Sequence, residues 1–334
     1  MRRPALLLLV LGGLVSALGC NPVVIEELDE AVLAVRSTSP SDVWAFGADA
    51  GAGPLALHWD GSAWERIDTS SLTGMDLWWG HPTEDQVFLA GSEGLVAILD
   101  RPSGAITAAE GIDPAHTFFG VWGPSSTDIW AVGGAIGAGL PPAAQRWDGT
   151  AWTPWEDPAG PGEEGDVYFK VHGTSASDVW IVGNRGIASR WDGTTLTDTD
   201  AASVIADDAG NAPSLLTIDV GGDAPVAVGG AGVGEIIRWN GSAWMRESPD
   251  FAPGMLGVCS GPDGALRAVG GQGSVYDFDG STWEQWERGI TFKGLHGCLI
   301  DADGGFWTGG GSIAAAPLDD GILIYDGPAA VKQP

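Results

Sequence analysis

A unit that recurs along the chain constrains its fold more than any other feature. One copy reads Ser41-Asp42-Val43-Trp44-Ala45-Phe46-Gly47, then His58-Trp59-Asp60-Gly61-Ser62-Ala63-Trp64. It returns as Thr127-Asp128-Ile129-Trp130-Ala131-Val132-Gly133 with Arg146-Trp147-Asp148-Gly149-Thr150-Ala151-Trp152, and again around Trp180 and Trp191. Weaker copies are Val226 to Gly229 with Trp239 to Trp244, Leu266 to Gly270 with Phe278 to Trp283, and Phe306 to Gly309 with Tyr325 to Gly327. A degenerate one runs Val87 to Gly91 and then Ile98 to Asp100. The equivalent positions are 44, 88, 130, 180, 226, 267 and 307, seven copies spaced by about 44 residues. A fixed period of that length marks a propeller or a solenoid.

Each copy has the content of a four-stranded antiparallel sheet. An apolar run such as Phe118 to Trp122 or Phe169 to His172 forms strand A. A polar turn leads to strand B (Val179 to Val182), strand C ends at the aromatic before Asp-Gly, and strand D follows (Ala151 to Trp155). Asp-Gly between β-prone runs is a strong hairpin signal, and a turn with φ > 0 at both central residues is expected. Seven such sheets set radially give an all-β, seven-bladed β-propeller, which leaves only short protected edges. A solenoid of sheets is the alternative. The seventh copy ends near Gly327 without a strand D, while Val23 to Glu27 precedes the first copy with no blade of its own. That segment is either the strand that closes the ring or a tether. The domain reading is residues 1–19 as a signal, 20–27 as tether or closing strand, and 28–334 as propeller.

The pattern Asp-Val-Trp-Ala-Val-Gly followed by Trp-Asp-Gly-Xaa-Xaa-Trp resembles Trp-rich bacterial propellers. It is similar to the Asp-box (BNR-like) and photosystem II assembly-factor-like propellers over residues 28–327. In the Asp-box proper, Asp and Gly stand two apart, whereas Asp60 and Gly61 are adjacent. The match is therefore to architecture, and a propeller architecture hosts many functions.

The first residues carry an address. Arg2 and Arg3 form a basic start, Ala5 to Val15 an apolar run too short to span a bilayer, and Ser16-Ala17-Leu18-Gly19-Cys20 a small-residue end. This resembles a bacterial lipoprotein signal, which implies lipidation of Cys20. Asn21 in place of Asp implies onward export to the outer membrane, on its periplasmic or surface side. The alternative is an ordinary secretory signal with an incidental Cys. The chain carries 44 Asp plus Glu against 15 Lys plus Arg, a net charge of −29. Such acidity disfavours nucleic acid and anionic membrane surfaces as partners, leaving the lipid as the membrane attachment.

Recurrent Trp residues at 44, 130, 180 and 307 in strand B and at 59, 147, 191 and 239 in strand C are expected to pack neighbouring blades. Asp42, Asp128 and Asp178 are expected to hold turns through backbone N–H groups. Cys259 and Cys298 remain as a possible disulfide. They are placed at one level of strand A with Arg36, Trp79, Trp122, His172 and Asp219, a set that borders one mouth of the channel, where Trp79, Trp122 and His172 are candidate binding residues and packing of the mouth is the alternative. Equivalent side chains in successive blades point the same way round the ring, which counts against the bond. Departures from the repeat carry more functional weight, since loops on a rigid scaffold carry function. The candidate binding face is the pair of loops after blades three and four: Trp155, Glu156, Asp157, Glu163, Glu164, Asp166, Asp198, Asp200, Asp207 and Asp208. The long B–C loop Ala135 to Pro142 joins it. Clustered carboxylates suit Ca²⁺, but no segment has the spacing of a known Ca²⁺ loop, and no other cofactor is indicated.

Catalytic motifs are missing: there is no His-Glu-Xaa-Xaa-His run and no Gly-Xaa-Ser-Xaa-Gly elbow. Arg146, Arg190 and Arg238 share one repeat position and read as structural. The leading expectation is a lipid-anchored, non-enzymatic binding module for an envelope protein or polysaccharide. The second is a carbohydrate-active hydrolase with a carboxylate pair at one mouth, since such pairs leave no local motif.

Overall fold

In the computed structural model, residues 24–155, 162–286 and 289–327 are described. Their strands form seven separate four-stranded antiparallel sheets. The A strands are Val32–Ser39, Leu77–Pro82, Thr117–Ser125, Tyr168–Ser175, Leu215–Asp219, Met255–Ser260 and Leu295–Ile300, for blades one to seven. Six blades run A-B-C-D in chain order. In the seventh, Val24–Glu30 pairs antiparallel with Asp319–Asp326 as the outermost strand. The first described strand thus belongs to the last blade, and the ring is closed by hydrogen bonds. The strand reaches three residues past Glu27. Among the described residues no helix is long and apolar enough to cross a membrane.

Large aromatics fill the gaps between blades. Trp44, Trp130, Trp180 and Trp307 are each 2% exposed or less. Trp130 of blade three meets Trp191 of blade four at 5.7 Å, Trp180 of blade four meets Trp239 of blade five at 5.4 Å, and Trp307 of blade seven meets Trp64 of blade one at 5.8 Å. Each such ring buries about 150–250 Å² of apolar surface.

The repeated Asp residues act differently from the sequence expectation. Asp42, Asp128 and Asp178 accept from side chains rather than from backbone turns. Trp44 Nε1 donates to Asp42 at 3.0 Å and Trp180 Nε1 to Asp178 at 3.2 Å. Arg146 and Arg190 donate to Asp128 and Asp178 and lie over Trp130 and Trp180 at 4.8 and 5.4 Å. In blade one, His58 and Arg101 take the place of that Arg. An Asp–Trp–Arg cluster therefore ties strands B and C.

The Asp-Gly hairpins also differ. Gly61 has φ +89°, but Asp60 is not in the left-handed region. Instead Asp60 Oδ1 accepts from Ser62 N at 2.7 Å and Ala63 N at 2.8 Å, an Asx-type turn. The same bonds recur at Asp148, Asp192, Asn240 and Asp279.

Candidate functional site

Every A strand is interrupted near its start, after one paired residue in six blades and two in blade three. The pairing with strand B skips Leu33, Trp78, Phe119, Phe169, Leu216, Leu256 and His296 in turn. A β-bulge frees one residue from the ladder and re-aims its side chain. All seven freed side chains line one cavity of about 310 Å³, with Ile136 and Ile313 contributed by the B–C loops of blades three and seven. Trp78, Phe119 and Phe169 meet edge to face, at 5.1 and 5.2 Å. The start of strand A lies at the end where D–A and B–C loops emerge, so this apolar funnel opens on the loop-rich face.

One residue further along, most blades carry a small side chain: Ala34, Gly120, Thr217, Gly257 and Gly297. Neighbouring backbones crowd this level. A Cβ on Gly120 would stand 3.0 Å from Lys170 Cα, and one on Gly297 would stand 3.1 Å from Ala34 Cα. Trp79 and Lys170 are the two large exceptions. Lys170 Nζ donates to the Phe119 carbonyl at 2.6 Å and lies 4.1 Å from the Trp79 ring centre, with the Arg36 guanidinium 5.2 Å from the same ring. Burial, aided by the Arg36 charge, lowers the Lys170 pKa to about 7.

Toward the A–B turns, the pairing register defines the level that faces Trp44, Phe88, Trp130, Trp180, Val226, Arg267 and Trp307. It holds Arg36, His81, Trp122, His172, Asp219, Cys259 and Leu299. This corrects the sequence reading at two places. Trp79 lies two residues away and His81 takes its place, because matching Trp to Trp ignored the register. Cys298 belongs one residue earlier than Cys259. A one-residue offset turns a strand side chain to the opposite face. Cys259 and Cys298 therefore face each other across blades six and seven, and they form a disulfide with Cα atoms 5.7 Å apart.

At this mouth Ser260 Oγ donates to Asp219 at 2.5 Å, and His172 Nδ1 stands 3.9 Å from the same carboxylate. Burial, with the Arg36 and His172 charges, pushes His81 down to about 3. His172 is lowered by burial as well, against the opposing pull of Asp219. Asp219 is the one carboxylate among the channel levels from the bulge to this mouth, so a two-carboxylate hydrolase finds no second member there among the described residues.

The loops expected to bind are only partly presented. Trp155 is half-buried, wedged against Trp130 at 4.7 Å and Trp191 at 5.6 Å, and so serves packing. Asp166 is 5% exposed, pairs with Arg185 and accepts from Glu163 N at 2.7 Å, which makes it a loop anchor. Glu163, Glu164, Asp198, Asp200, Asp207 and Asp208 are exposed. Asp207 is engaged by the backbone of Ala209 and Asn211, and Asp198 by Asp200 N. Within this second loop, Ala201–Ile205 is a helical turn with Ala201 and Ile205 buried. Glu156 and Asp157 lie outside the described residues, as does Cys20. No group of three or more His, Cys, Asp or Glu positioned to hold a metal ion occurs among the described residues.

Sequence reasoning missed the apolar residues of the same face. Six large apolar side chains are exposed among the described residues, and five stand on D–A or B–C loops: Ile136, Val233, Phe251, Phe292 and Ile313. Phe251 and Phe292 are 97% and 96% exposed. Phe251 also holds φ +59°, a costly backbone region for a bulky residue. The available signal was a lone Phe in each of two Pro/Gly-flanked connections.

No protein-family model and no curated protein matches the chain. Solved structures do, at the level of fold. A catalytically inactive virginiamycin B lyase from Staphylococcus aureus, crystallised with quinupristin, is 14% identical with a TM-score of 0.67, covering 91% of this chain and 99% of that one. YCF48 bound to a D1 peptide is 14% identical with a TM-score of 0.65, covering 94% and 99%. The WD40 β-propeller domain of Doa1 is 8% identical with a TM-score of 0.65, covering 90% and 94%. The chain is a seven-bladed β-propeller.

Proposed function

We propose that this protein is an exported, lipid-anchored and non-enzymatic binding module that presents its D–A/B–C face to an envelope protein. The observation that carries the reading is that five of the six exposed large apolar side chains among the described residues stand on the loops of that face, two of them, Ile136 and Ile313, at the apolar mouth. Exposed apolar side chains on the loops of a rigid scaffold support an interaction surface there. The backbone of Phe251 adds support, since strain of that kind clusters at functional positions. Two structural neighbours, a peptide-bound YCF48 and a WD40 domain, are consistent with a scaffold role. Export is supported by the signal-like first twenty residues and by the disulfide, a bond that persists in oxidising compartments. Acidic Glu163, Glu164 and Asp208 at the rim favour a partner with basic residues around an apolar contact.

The test is co-purification from envelope extracts with wild type and with a Phe251→Ser/Phe292→Ser double variant. The reading expects a discrete partner with wild type and its loss with the variant. Equal recovery by both proteins would refute it.

A further inference from the structure

The funnel contains a buried amine with no carboxylate paired to it among the described residues. Lys170 is 8% exposed and lines the cavity. An ammonium has three donors. One goes to the Phe119 carbonyl and one side of the group rests on the Trp79 ring, and among the described residues no carboxylate pairs with it. The blade architecture does not require this Lys, because the equivalent position elsewhere is Ala34, Trp79, Gly120, Thr217, Gly257 or Gly297, none of them charged.

We propose that the funnel is a binding site for a small amphipathic monocarboxylate, whose apolar body lies among the bulge side chains and whose carboxylate pairs with Lys170. The walls are apolar and aromatic with one cation at depth, the division of labour of a small-ligand pocket, and about 310 Å³ falls at the small end of that class. One ammonium suits a single negative charge. A phosphate would call for further donors, and Arg36 stands two residues deeper in the channel, 5.2 Å from the Trp79 ring centre. This inference rests on the cavity and Lys170; it shares Ile136 and Ile313 with the docking reading but not Val233, Phe251 or Phe292.

A bound carboxylate favours the charged form of Lys170, so binding takes up a proton near neutral pH and weakens as pH rises. The other groups facing this stretch of channel are Arg36 from blade one, His81 from blade two, His172 and Asp219 from blades four and five, and His296 from blade seven. All three His are lowered from the ordinary imidazole value, chiefly by burial.

The experiment is calorimetry on the purified propeller with octanoate, 1-octanol and octylamine, and with Lys170→Met. We expect saturable octanoate binding that weakens about tenfold between about pH 6.5 and about pH 8.5. Octanol binding should be insensitive to pH, and octylamine should bind more weakly than either. Lys170→Met should lose about tenfold for octanoate and keep octanol. Octanoate binding that is absent, insensitive to pH, or unchanged in the variant would overturn the proposal. Should Lys170→Met not fold, the wild-type comparison of head groups and pH decides alone. Because no macromolecular partner is present, failure here is distinct from failure of the docking reading.

Discussion

A single carboxylate per blade shows how little of a side chain's role its identity declares. Asp148 was legible as a turn residue, and the turn is there. What it does chemically, accepting from Thr150 and Ala151, depends on a backbone shape that Asp-Gly alone does not specify. Asn240 performs the same task without a charge. Asp148→Asn should therefore leave the melting temperature unchanged at neutral pH, whereas Asp148→Ala should lower it, as read by circular dichroism. The hydrogen bond from the Thr150 side chain and those from backbone N–H groups push Asp148 down to about 2, and Ser62 with its neighbours does the same for Asp60. A depressed carboxylate contributes stability that is complete above its unfolded pKa, near 3.8, and is lost as pH falls through about 2. The wild-type protein should lose stability over that acid window, and Asn replacements at Asp60 and Asp148 should flatten the dependence. At Phe251 the expectation is reversed. Phe251→Gly relieves a left-handed backbone strain of about 1 kcal/mol and should raise thermal stability while weakening partner capture. A loss of stability in that variant would mean that the ring packs rather than binds.

Strand B was aligned from sequence at all seven positions, because its large side chains are fixed by packing between blades. Strand A was not. Its residue types vary from blade to blade with no recurrent side chain to fix the register, and Trp79 and Cys298 stand at levels other than those the sequence suggests. The same offset brings the two Cys into facing positions. Closing a loop of 39 residues, that bond should contribute about 2–4 kcal/mol, mainly by restricting the unfolded chain. A Cys259→Ser/Cys298→Ser variant should fold with its unfolding free energy lower by that amount, read from the fall in its denaturant midpoint. The closing strand makes a sharper test of the ring. Removing Val24–Glu30 leaves Asp319–Asp326 as a bare edge and should yield an aggregation-prone protein, seen by light scattering. The apolar bulge ring was illegible for the same reason as the register: its members are scattered about 40 residues apart and share only a backbone irregularity.

For the whole molecule, sequence pattern led directly to the fold, whereas loop length and charge point to one part of the D–A/B–C face and the exposed apolar side chains mainly to another. Charge drew attention to the loops after blades three and four, where Trp155 and Asp166 are used to hold blades and loop together. The apolar contacts reach round to blades five to seven, on loops of ordinary length. Anchoring is an independent part of the account. Palmitate labelling in cells should mark the wild-type chain and be abolished by Cys20→Ala, and labelling that survives would remove the lipid anchor. The central claim is that one face of the ring is the working face. Photo-crosslinking residues placed at 251 and 292, and in parallel at 62 and 150 on the opposite C–D turns, test it most directly. The account predicts a discrete crosslinked envelope protein from 251 and 292 and none from 62 and 150. Crosslinks of equal yield from both faces, or from 62 and 150 alone, would contradict it.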